Sequence, residues 1–560
     1  MGACQSAATL DERDWHQIAT TRNVIRQLPV IALLRPDMAN ETCPHIMTDS
    51  VIKNDTNSKL YRMHPITIKG LDYAAVVAGK PLSQNQLDGL DEALSEARRL
   101  GAEAIVGDTG ALVHYQSVVA QRTKLPVMLS PLLQAPLLDS VIPPNEYILV
   151  ITKDSKEFGH DALQRILRGG SNALLHEQSS AHRFILRGLE SSARLMSESK
   201  QGSRIELERE LCQIVGELNM ELITVKKRLG AIIFDCAIQP QLVDAVRARF
   251  NLPCADNLTL ADFGLKACTS HQRFGLGSVI EENSVMAKLH QPERKTPNPS
   301  IGVLRIDYTY PPALGDADHP SSYNYDVTFA TWKRFTFDAA RAANRLDDRE
   351  RAAMKKAITA LEKQGVMGVA GDCGFLMHYQ EEARQACTVP CFVSPLLHCS
   401  VLSCMFALDE YILVLTADGP ALMPHMPKLL SLCHVTNPSH QARFLVRGCE
   451  RLPGFEAVFQ GKAVDVNKVR PHIVRLVEQE IAREPRIRAV LFECTELPPY
   501  ADAVRAATGL PVFDVITIAD YFHSALSSKP HRDIDWSKIE GSRPLSRSST
   551  RSLSKQLVKP

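Results

Sequence analysis

The chain has 560 residues, of which 45% are apolar and 23% are charged, and its formal net charge is +1 at pH 7. Such a composition is that of a globular protein, and the length predicts more than one domain, because domains usually have about 100–200 residues. The near-zero charge provides no field that would attract nucleic acid, so we expect no nucleic-acid partner. No apolar run reaches the roughly 18 residues of a membrane-spanning helix.

The first segment, 1–28, is predicted to be a flexible leader with an acylation signal. It begins Met-Gly-Ala-Cys-Gln-Ser, which matches the pattern for N-myristoylation of Gly2, and Cys4 adds a site for palmitoylation. Two acyl chains hold a protein stably on a membrane where one does not. This pattern predicts a cytoplasmic protein bound peripherally to lipid on the cytosolic face of a membrane.

Two long segments, 29–264 and 300–526, resemble each other and indicate a tandem duplication. Gly-Asp-Thr-Gly at 107–110 corresponds to Gly-Asp-Cys-Gly at 371–374, and His-Tyr-Gln follows shortly after each. We predict a linker at 265–299, a disordered tail rich in Ser, Arg and Lys at 527–560, and intramolecular pairing of the two copies.

Short apolar runs alternate with helical patterns in each copy. In the second copy, the runs Ile301–Leu304, Val366–Ala370, Tyr411–Leu415 and Ala489–Phe492 predict buried strands, and helices are predicted over 337–364, 375–387 and 500–508. Alternating strands and helices favour parallel sheets. The predicted fold class is therefore α/β, a tandem pair of units with two parallel-sheet lobes each.

Two cysteines of the second copy, Cys373 and Cys494, each follow a predicted strand and precede a predicted helix. Ligands of open α/β sheets bind at the carboxyl ends of strands. A thiol beside a helix N-terminus is expected to have a lowered pKa. We predict that the two thiols face each other across a cleft between the lobes. The 14 cysteines show no zinc-ligand spacing, so no metal is expected.

The segments around these cysteines give the second copy a resemblance to the aspartate/glutamate racemase superfamily, and the first copy resembles it more weakly. The resemblance implies two pseudosymmetric lobes with the active site between them. It also implies a cofactor-independent reaction in which one thiolate removes an α-proton and the opposite thiol returns a proton. The function predicted in this way is an isomerase, a racemase or epimerase of an amino acid or related α-substituted acid.

The resemblance implies further site residues around the two cysteines. Candidates for binding the substrate carboxylate are Gly374, Ser394, Thr416 and Thr495, while Asp372 and Glu493 could tune the thiols. Glutamate racemases continue after the second cysteine with Thr-His, whereas this chain has Thr-Glu at 495–496. A substrate other than glutamate or aspartate, such as a hydantoin, fits this difference equally well.

The first copy has Thr109 where the second has Cys373, but it keeps a cysteine, Cys236. A threonine hydroxyl cannot serve as a thiolate-like base at neutral pH, so we expect this copy to be a degenerate site. Two alternatives to racemisation remain. One is decarboxylation or cis–trans isomerisation of a dicarboxylate, and the other is a membrane-tethered pseudoenzyme or scaffold.

Overall fold

A computed structural model describes residues 29–37, 62–156, 158–168, 174–175, 181–196, 204–236, 240–268 and 300–527. The predicted acylation sites Gly2 and Cys4 lie outside the described residues, as do nearly all of the predicted linker and tail. No helix in these ranges combines the length and the apolar character needed to cross a membrane.

Within the described residues, each half of the chain contains eight strands. In the first unit, residues 29–268, they are β1 Val30–Asp37, β2 Arg62–Asp72, β3 Ala102–Gly107, β4 Val127–Met128, β5 Glu146–Thr152, β6 Phe184–Gly188, β7 Arg228–Phe234 and β8 Cys254–Ala255. In the second unit, residues 300–527, they are β9 Ile301–Ile306, β10 Val327–Trp332, β11 Gly368–Gly371, β12 Cys391–Phe392, β13 Tyr411–Thr416, β14 Phe444–Gly448, β15 Ile487–Phe492 and β16 Val512–Phe513.

These strands form four four-stranded sheets, two in each unit. The strand orders are β2-β1-β3-β4 and β6-β5-β7-β8 in the first unit, and β10-β9-β11-β12 and β14-β13-β15-β16 in the second. All pairings are parallel. The same order occurs in all four sheets: the first strand in the chain lies between the second and the third, and the fourth lies at the edge beside the third. The predicted α/β class with two parallel-sheet lobes per unit is confirmed.

Helices connect the strands and cover the sheets. In the first unit the α-helices are Tyr73–Ala78, Gln84–Arg99, Gln116–Ala120, Ala135–Val141, His160–Arg168, Ala193–Met196, Arg204–Thr224, Pro240–Phe250 and Asn257–Cys268. In the second unit they are Phe337–Ala342, Asp348–Lys363, Gln380–Ala386, Cys399–Met405, Gly419–Leu422, Met426–Leu432, Pro438–Gln441, Glu456–Phe459, Val466–Arg483, Ala501–Thr508 and Val515–Leu526. Short 3-10 helices are Gly110–Tyr115, Pro131–Gln134, Ala181–Arg183, Pro320–Ser322, Gly374–Tyr379, Pro395–His398, Met423–His425 and Pro498–Tyr500.

The helices differ from their predicted bounds in three places. The helix predicted over 337–364 is two helices, because Ala343 adopts a left-handed conformation with φ of 52° and Asp347 caps the second helix together with Glu350. The helix predicted over 375–387 begins as the 3-10 turn Gly374–Tyr379. The last helix of the first unit runs to Cys268, beyond the boundary predicted at 264.

The two units contact each other through matching hydrogen bonds. Arg247 donates to the carbonyl of Ala525 at 3.1 Å, and Arg505 donates to the carbonyl of Ala267 at 2.8 Å. A second matching pair is formed by Gln116, which donates to Cys404 O at 2.8 Å, and Gln380, which donates to Ser140 O at 3.0 Å. One cluster of buried apolar residues includes members of both units, so the core is continuous across this contact.

Candidate active site

Both cysteines predicted as catalytic lie just beyond the carboxyl ends of parallel strands. Cys373 is two residues past the end of β11 and precedes a 3-10 helix, and Cys494 is two residues past the end of β15. The two strands belong to the two different sheets of the second unit. Both side chains are buried, with 4% and 7% exposure, and both line one cavity. The structure therefore brings the two thiols to the same cavity.

Gly374 lets the two cysteine-bearing loops approach each other closely. A Cβ atom at this position would lie 2.1 Å from the carbonyl oxygen of Glu493 and 2.3 Å from its Oε1 atom. Both distances are shorter than any normal contact, so a side chain here would push the loops apart. Gly374 lines the cavity, and its absent side chain is what allows the Cys373 and Cys494 loops to meet.

The predicted lowering of the thiol pKa values is wrong. Burial raises the pKa of Cys373, and the carboxyl groups of Asp372 and Glu493 raise it further. Burial also raises the pKa of Cys494, with Glu496 and Glu493 adding to the shift. The amides of Phe375 and Glu496 act in the opposite direction on their neighbouring thiols but are outweighed. Both groups are therefore protonated thiols at neutral pH.

Three carboxyl side chains, those of Asp372, Glu493 and Glu496, line the cavity, and no lysine, arginine or histidine is among its described lining residues. Both oxygens of Asp372 accept a hydrogen bond from the amide of Ile306, at 3.0 and 3.1 Å. Burial raises the pKa of Glu493 to about 7. The Thr416 hydroxyl lies beside Glu493, yet neither carboxyl oxygen has a hydrogen bond of good geometry within the described residues. Burial also raises the pKa of Asp372 and of Glu496, and a positive group brought by a ligand would favour the ionised form of these carboxyls.

The three hydroxyl residues predicted to bind the substrate lie near the cavity with different surroundings. Thr495 lines the cavity and donates to the carbonyl of Asp372. Ser394 is fully buried and donates to the carbonyl of Gly374 at 2.7 Å, and Thr416 is fully buried and accepts a hydrogen bond from the amide of Asp418. The cavity lining does not include Ser394 or Thr416. The hydroxyls of Ser394 and Thr495 therefore hold the backbone on either side of Cys373, and that of Thr416 holds the turn after β13.

Residues that sequence reasoning missed form an aromatic wall, which we define as Tyr308, Tyr310 and Phe337. All three line the cavity. The ring centroids of Tyr308 and Tyr310 are 5.2 Å apart, and those of Tyr308 and Phe337 are 5.8 Å apart. The two tyrosines lie in the loop after β9, which carries no motif. Glu496 was also missed. The available signal was that this chain has Glu496 where glutamate racemases have the histidine of the Thr-His pattern.

The first unit has a corresponding cavity, which Thr109 and Cys236 both line. Its lining includes Lys153 and Asp154, and the position equivalent to Lys153 in the second unit is Ala417. Burial raises the pKa of Cys236, Asp235 raises it further, and Lys153 lowers it. The first cavity therefore lies at the position equivalent to that of the second, but it is lined by one thiol instead of two and by different charged residues.

Fold and site together define an α/β protein whose second unit holds two thiols in a cavity rich in carboxyl groups. No family model matches the chain. Dimethylsulfoniopropionate lyase 5 of Emiliania huxleyi (strain CCMP1516) is 43% identical to it over 502 residues, which cover 86% of this chain and 97% of that protein. The chain belongs to the family of the dimethylsulfoniopropionate lyases.

Solved structures similar to this chain include arylmalonate decarboxylase, with 17% identity and a TM-score of 0.28 over 42% of this chain and 94% of that one. A second is PH1733, an aspartate racemase homologue from Pyrococcus horikoshii OT3, with 16% identity and a TM-score of 0.27 over 41% of this chain and 99% of that one.

The family overturns the predicted activity. The relatives are named as lyases, so the prediction of an isomerase that racemises or epimerises an α-substituted acid is wrong. The alternatives of decarboxylation and cis–trans isomerisation do not agree with these names either. The prediction rested on a resemblance in the arrangement of the two cysteines. Removal of a proton from carbon by such a pair does not by itself determine whether the reaction is a racemisation or a lyase reaction.

Proposed function

We propose that this protein is a dimethylsulfoniopropionate lyase whose active site is the cavity of the second unit. One observation carries the proposal: both cysteines of that unit line a single cavity in a chain that is 43% identical to a named lyase over 86% of its length. The first unit, which we infer to be a duplicated racemase-like copy, has Thr109 in place of the first cysteine and contributes no second thiol.

The proposed chemistry is a β-elimination. The substrate has a carboxylate at one end and a dimethylsulfonio group on the carbon two bonds away. A cysteine thiolate takes a proton from the carbon next to the carboxylate, the electron pair of that C–H bond forms a carbon–carbon double bond, and the C–S bond breaks with its electrons going to sulfur. The products are dimethyl sulfide and acrylate, and the proton remains on the cysteine until water removes it.

A thiolate suits this step because the proton is weakly acidic and the base must be desolvated to remove it. The raised pKa values of the two thiols fit this requirement, since a base of higher pKa accepts a proton more readily. The bound sulfonium cation favours ionisation of a nearby thiol, because an opposite charge stabilises the charged form. Elimination needs one base, so the second thiol can stay protonated and donate a hydrogen bond to the substrate carboxylate.

The direct test is to incubate the full chain with dimethylsulfoniopropionate and measure dimethyl sulfide by gas chromatography and acrylate by NMR. We expect the two products in equal amounts, at a rate proportional to protein concentration. Protein that is folded by circular dichroism but releases neither product would overturn the proposal. Protein unfolded by heat is the matched control for uncatalysed breakdown of the substrate.

The pH dependence of this reaction follows from the raised pKa values. Below the pKa of the catalytic thiol, the thiolate fraction grows about tenfold per pH unit, so we expect kcat/KM to rise with pH between 6 and 8.

Stability should change in the opposite direction. Burial raises the pKa of Glu493 to about 7 and of Asp316 to about 8, so the folded state binds more protons than the unfolded state between about pH 4 and these values.

The contribution of these two carboxyls to the free energy of unfolding should therefore fall as pH rises through that window. Burial lowers the pKa values of His378 and His398 to about 4, so these two groups act in the opposite direction up to about pH 6.5. Measurements of kcat/KM and of the melting temperature at each pH check both slopes. In Glu493→Gln, the decline of the melting temperature with pH should be shallower, because one of the carboxyls responsible is gone. An equal change of melting temperature between pH 6.5 and pH 8 in wild type and in Glu493→Gln would contradict the assignment of Glu493 as protonated in the folded protein.

A further inference from the structure

Glu496 lines the second-unit cavity two residues after Cys494, and the elimination chemistry does not use it. Burial raises the pKa of Glu496, and the carboxyl groups of Asp316 and Asp318 raise it further. In its ionised form, its negative charge adds to the effect of burial in raising the pKa of Tyr308, of Tyr310 and of both thiols. A group that acts on all four must lie near the aromatic wall and the cysteines at once.

Two carboxyl groups near Glu496 have partners within the protein, since Asp318 pairs with Arg305 at 2.7 Å and Asp316 accepts a hydrogen bond from the hydroxyl of Tyr310 at 2.7 Å. The Oε2 atom of Glu496 is buried and has no hydrogen-bond partner in the described part of the chain, and the same holds for both carboxyl oxygens of Glu493. No pairing contact of the kind that holds Asp318 is seen for Glu496 among the described residues. A carboxylate held in this way is stabilised by a positive charge brought by a ligand.

The tyrosines of the aromatic wall offer the cavity ring surface, because their hydroxyl groups are engaged elsewhere. The Tyr308 hydroxyl donates to the carbonyl of Val458 and accepts from the amide of Gly461 at 2.9 Å, and the Tyr310 hydroxyl is held by Asp316. Ring faces attract cations that carry methyl groups, and this attraction is stronger when water is excluded. A sulfonium group has no N–H or O–H, so charge and ring contact are the interactions available to bind it.

We infer that Glu496, together with the ring faces of Tyr308 and Tyr310, binds the cationic end of the substrate and makes the site selective for onium carboxylates. By this term we mean carboxylates that carry a sulfonium or quaternary ammonium group. The inference rests on the proposed function, because it assigns the sulfonium end of that substrate to one side of the cavity. With the cation next to Glu496, the carbon that loses its proton lies near Cys494 and Cys373.

Two ligands of nearly equal shape measure this selectivity without turnover. The first is 3-(trimethylammonio)propionate, which is cationic at one end and has a poor leaving group. The second is 4,4-dimethylpentanoate, in which a carbon atom replaces the nitrogen and the positive charge is absent. We expect the full chain to bind the cationic ligand about 10- to 100-fold more tightly in calorimetry, because a desolvated cation gains from both the carboxylate and the rings.

Variants assign this preference to Glu496. Glu496→Gln removes the carboxylate at constant size and should lower the ratio of the two dissociation constants several-fold, to the part that the rings supply, while the value for 4,4-dimethylpentanoate stays similar. Glu496→Asp keeps the charge and should retain part of the preference. Glu478→Gln changes an exposed carboxylate of the helix Val466–Arg483 and should leave the ratio at the wild-type value. Melting curves establish that each variant is folded.

The inference is overturned if wild type binds neither ligand, if it binds both equally, or if Glu496→Gln keeps the full preference. Its failure is distinguishable from failure of the proposed function. A protein that releases dimethyl sulfide but shows no cationic preference refutes the role of Glu496 alone. A protein that prefers the cationic ligand but releases no dimethyl sulfide refutes the lyase proposal and leaves the onium site in place.

Discussion

Serine in place of Cys373 or Cys494 should lower kcat for dimethylsulfoniopropionate cleavage by roughly 10²- to 10⁴-fold, the usual contribution of a positioned general base. The two side chains are nearly equal in size, but a serine hydroxyl is far less acidic than a thiol and supplies no anion at neutral pH. The thiolate that takes the proton should show the larger loss, and the thiol that stays protonated the smaller one. Steady-state release of dimethyl sulfide measures both.

The first unit provides a matched control for this experiment. Cys236 occupies the equivalent position to Cys494, lines the first cavity and also has a raised pKa. Cys236→Ser should change kcat by less than about twofold if catalysis belongs to the second unit, since changes away from the reacting groups have small effects. A loss in Cys236→Ser as large as that in Cys494→Ser would show that the first cavity takes part in the reaction.

Alanine at Gly374 should abolish most of the activity through a single added methyl group. The new Cβ would lie 2.1 Å from the carbonyl oxygen of Glu493, and backbone at that distance can relax only if the loops carrying Cys373 and Cys494 separate. Overpacking of this kind typically costs about 1–3 kcal/mol of stability. A displacement of about 1 Å between reacting groups can cost about 10²-fold in rate, so kcat should fall far more than the melting temperature.

Gly110 makes the same contact in the first unit, where a Cβ would lie 2.2 Å from the carbonyl oxygen of Asp235. Gly110→Ala should therefore destabilise the protein about as much as Gly374→Ala while leaving kcat close to the wild-type value. Thermal melting and dimethyl sulfide release, measured on both variants, separate the structural effect from the catalytic one. Equal losses of kcat in the two variants would refute the assignment of catalysis to the second unit.

The strands and the two cysteines were accessible from the sequence because they depend on local patterns. The apolar run Ile301–Leu304 lies within the strand Ile301–Ile306, and the run Tyr411–Leu415 lies within the strand Tyr411–Thr416. Parallel strands place the residues that follow them on one edge of a sheet, so the position of Cys373 could be inferred without coordinates. The internal repeat supplied the number of units.

The acidity of the thiols and the lining of the cavity depend on packing between distant segments, which the sequence does not display. A cysteine before a helix suggests a lowered pKa, but burial among Asp372, Glu493 and Glu496 reverses the shift. Tyr308 and Tyr310 reach the cavity from an irregular loop after β9. The activity was mistaken for a related reason, since proton removal from a carbon acid is common to racemisation and elimination, and the fate of the carbanion depends on whether the substrate carries a leaving group.

The matching hydrogen bonds of Arg247 and Arg505 across the two units have a consequence for how the protein tolerates change. Each arginine side chain is buried and donates a hydrogen bond to a main-chain carbonyl of the other unit. If one unit unfolded alone, these carbonyls of the other unit would lose their partners. The chain should therefore lose its structure in one cooperative transition. A substitution that destabilises only the first unit would reduce the amount of folded protein, while kcat of the molecules that remain folded stayed at the wild-type value. On this account, selection would retain the first unit, which has Thr109 in place of a cysteine, because it stabilises the folded second unit.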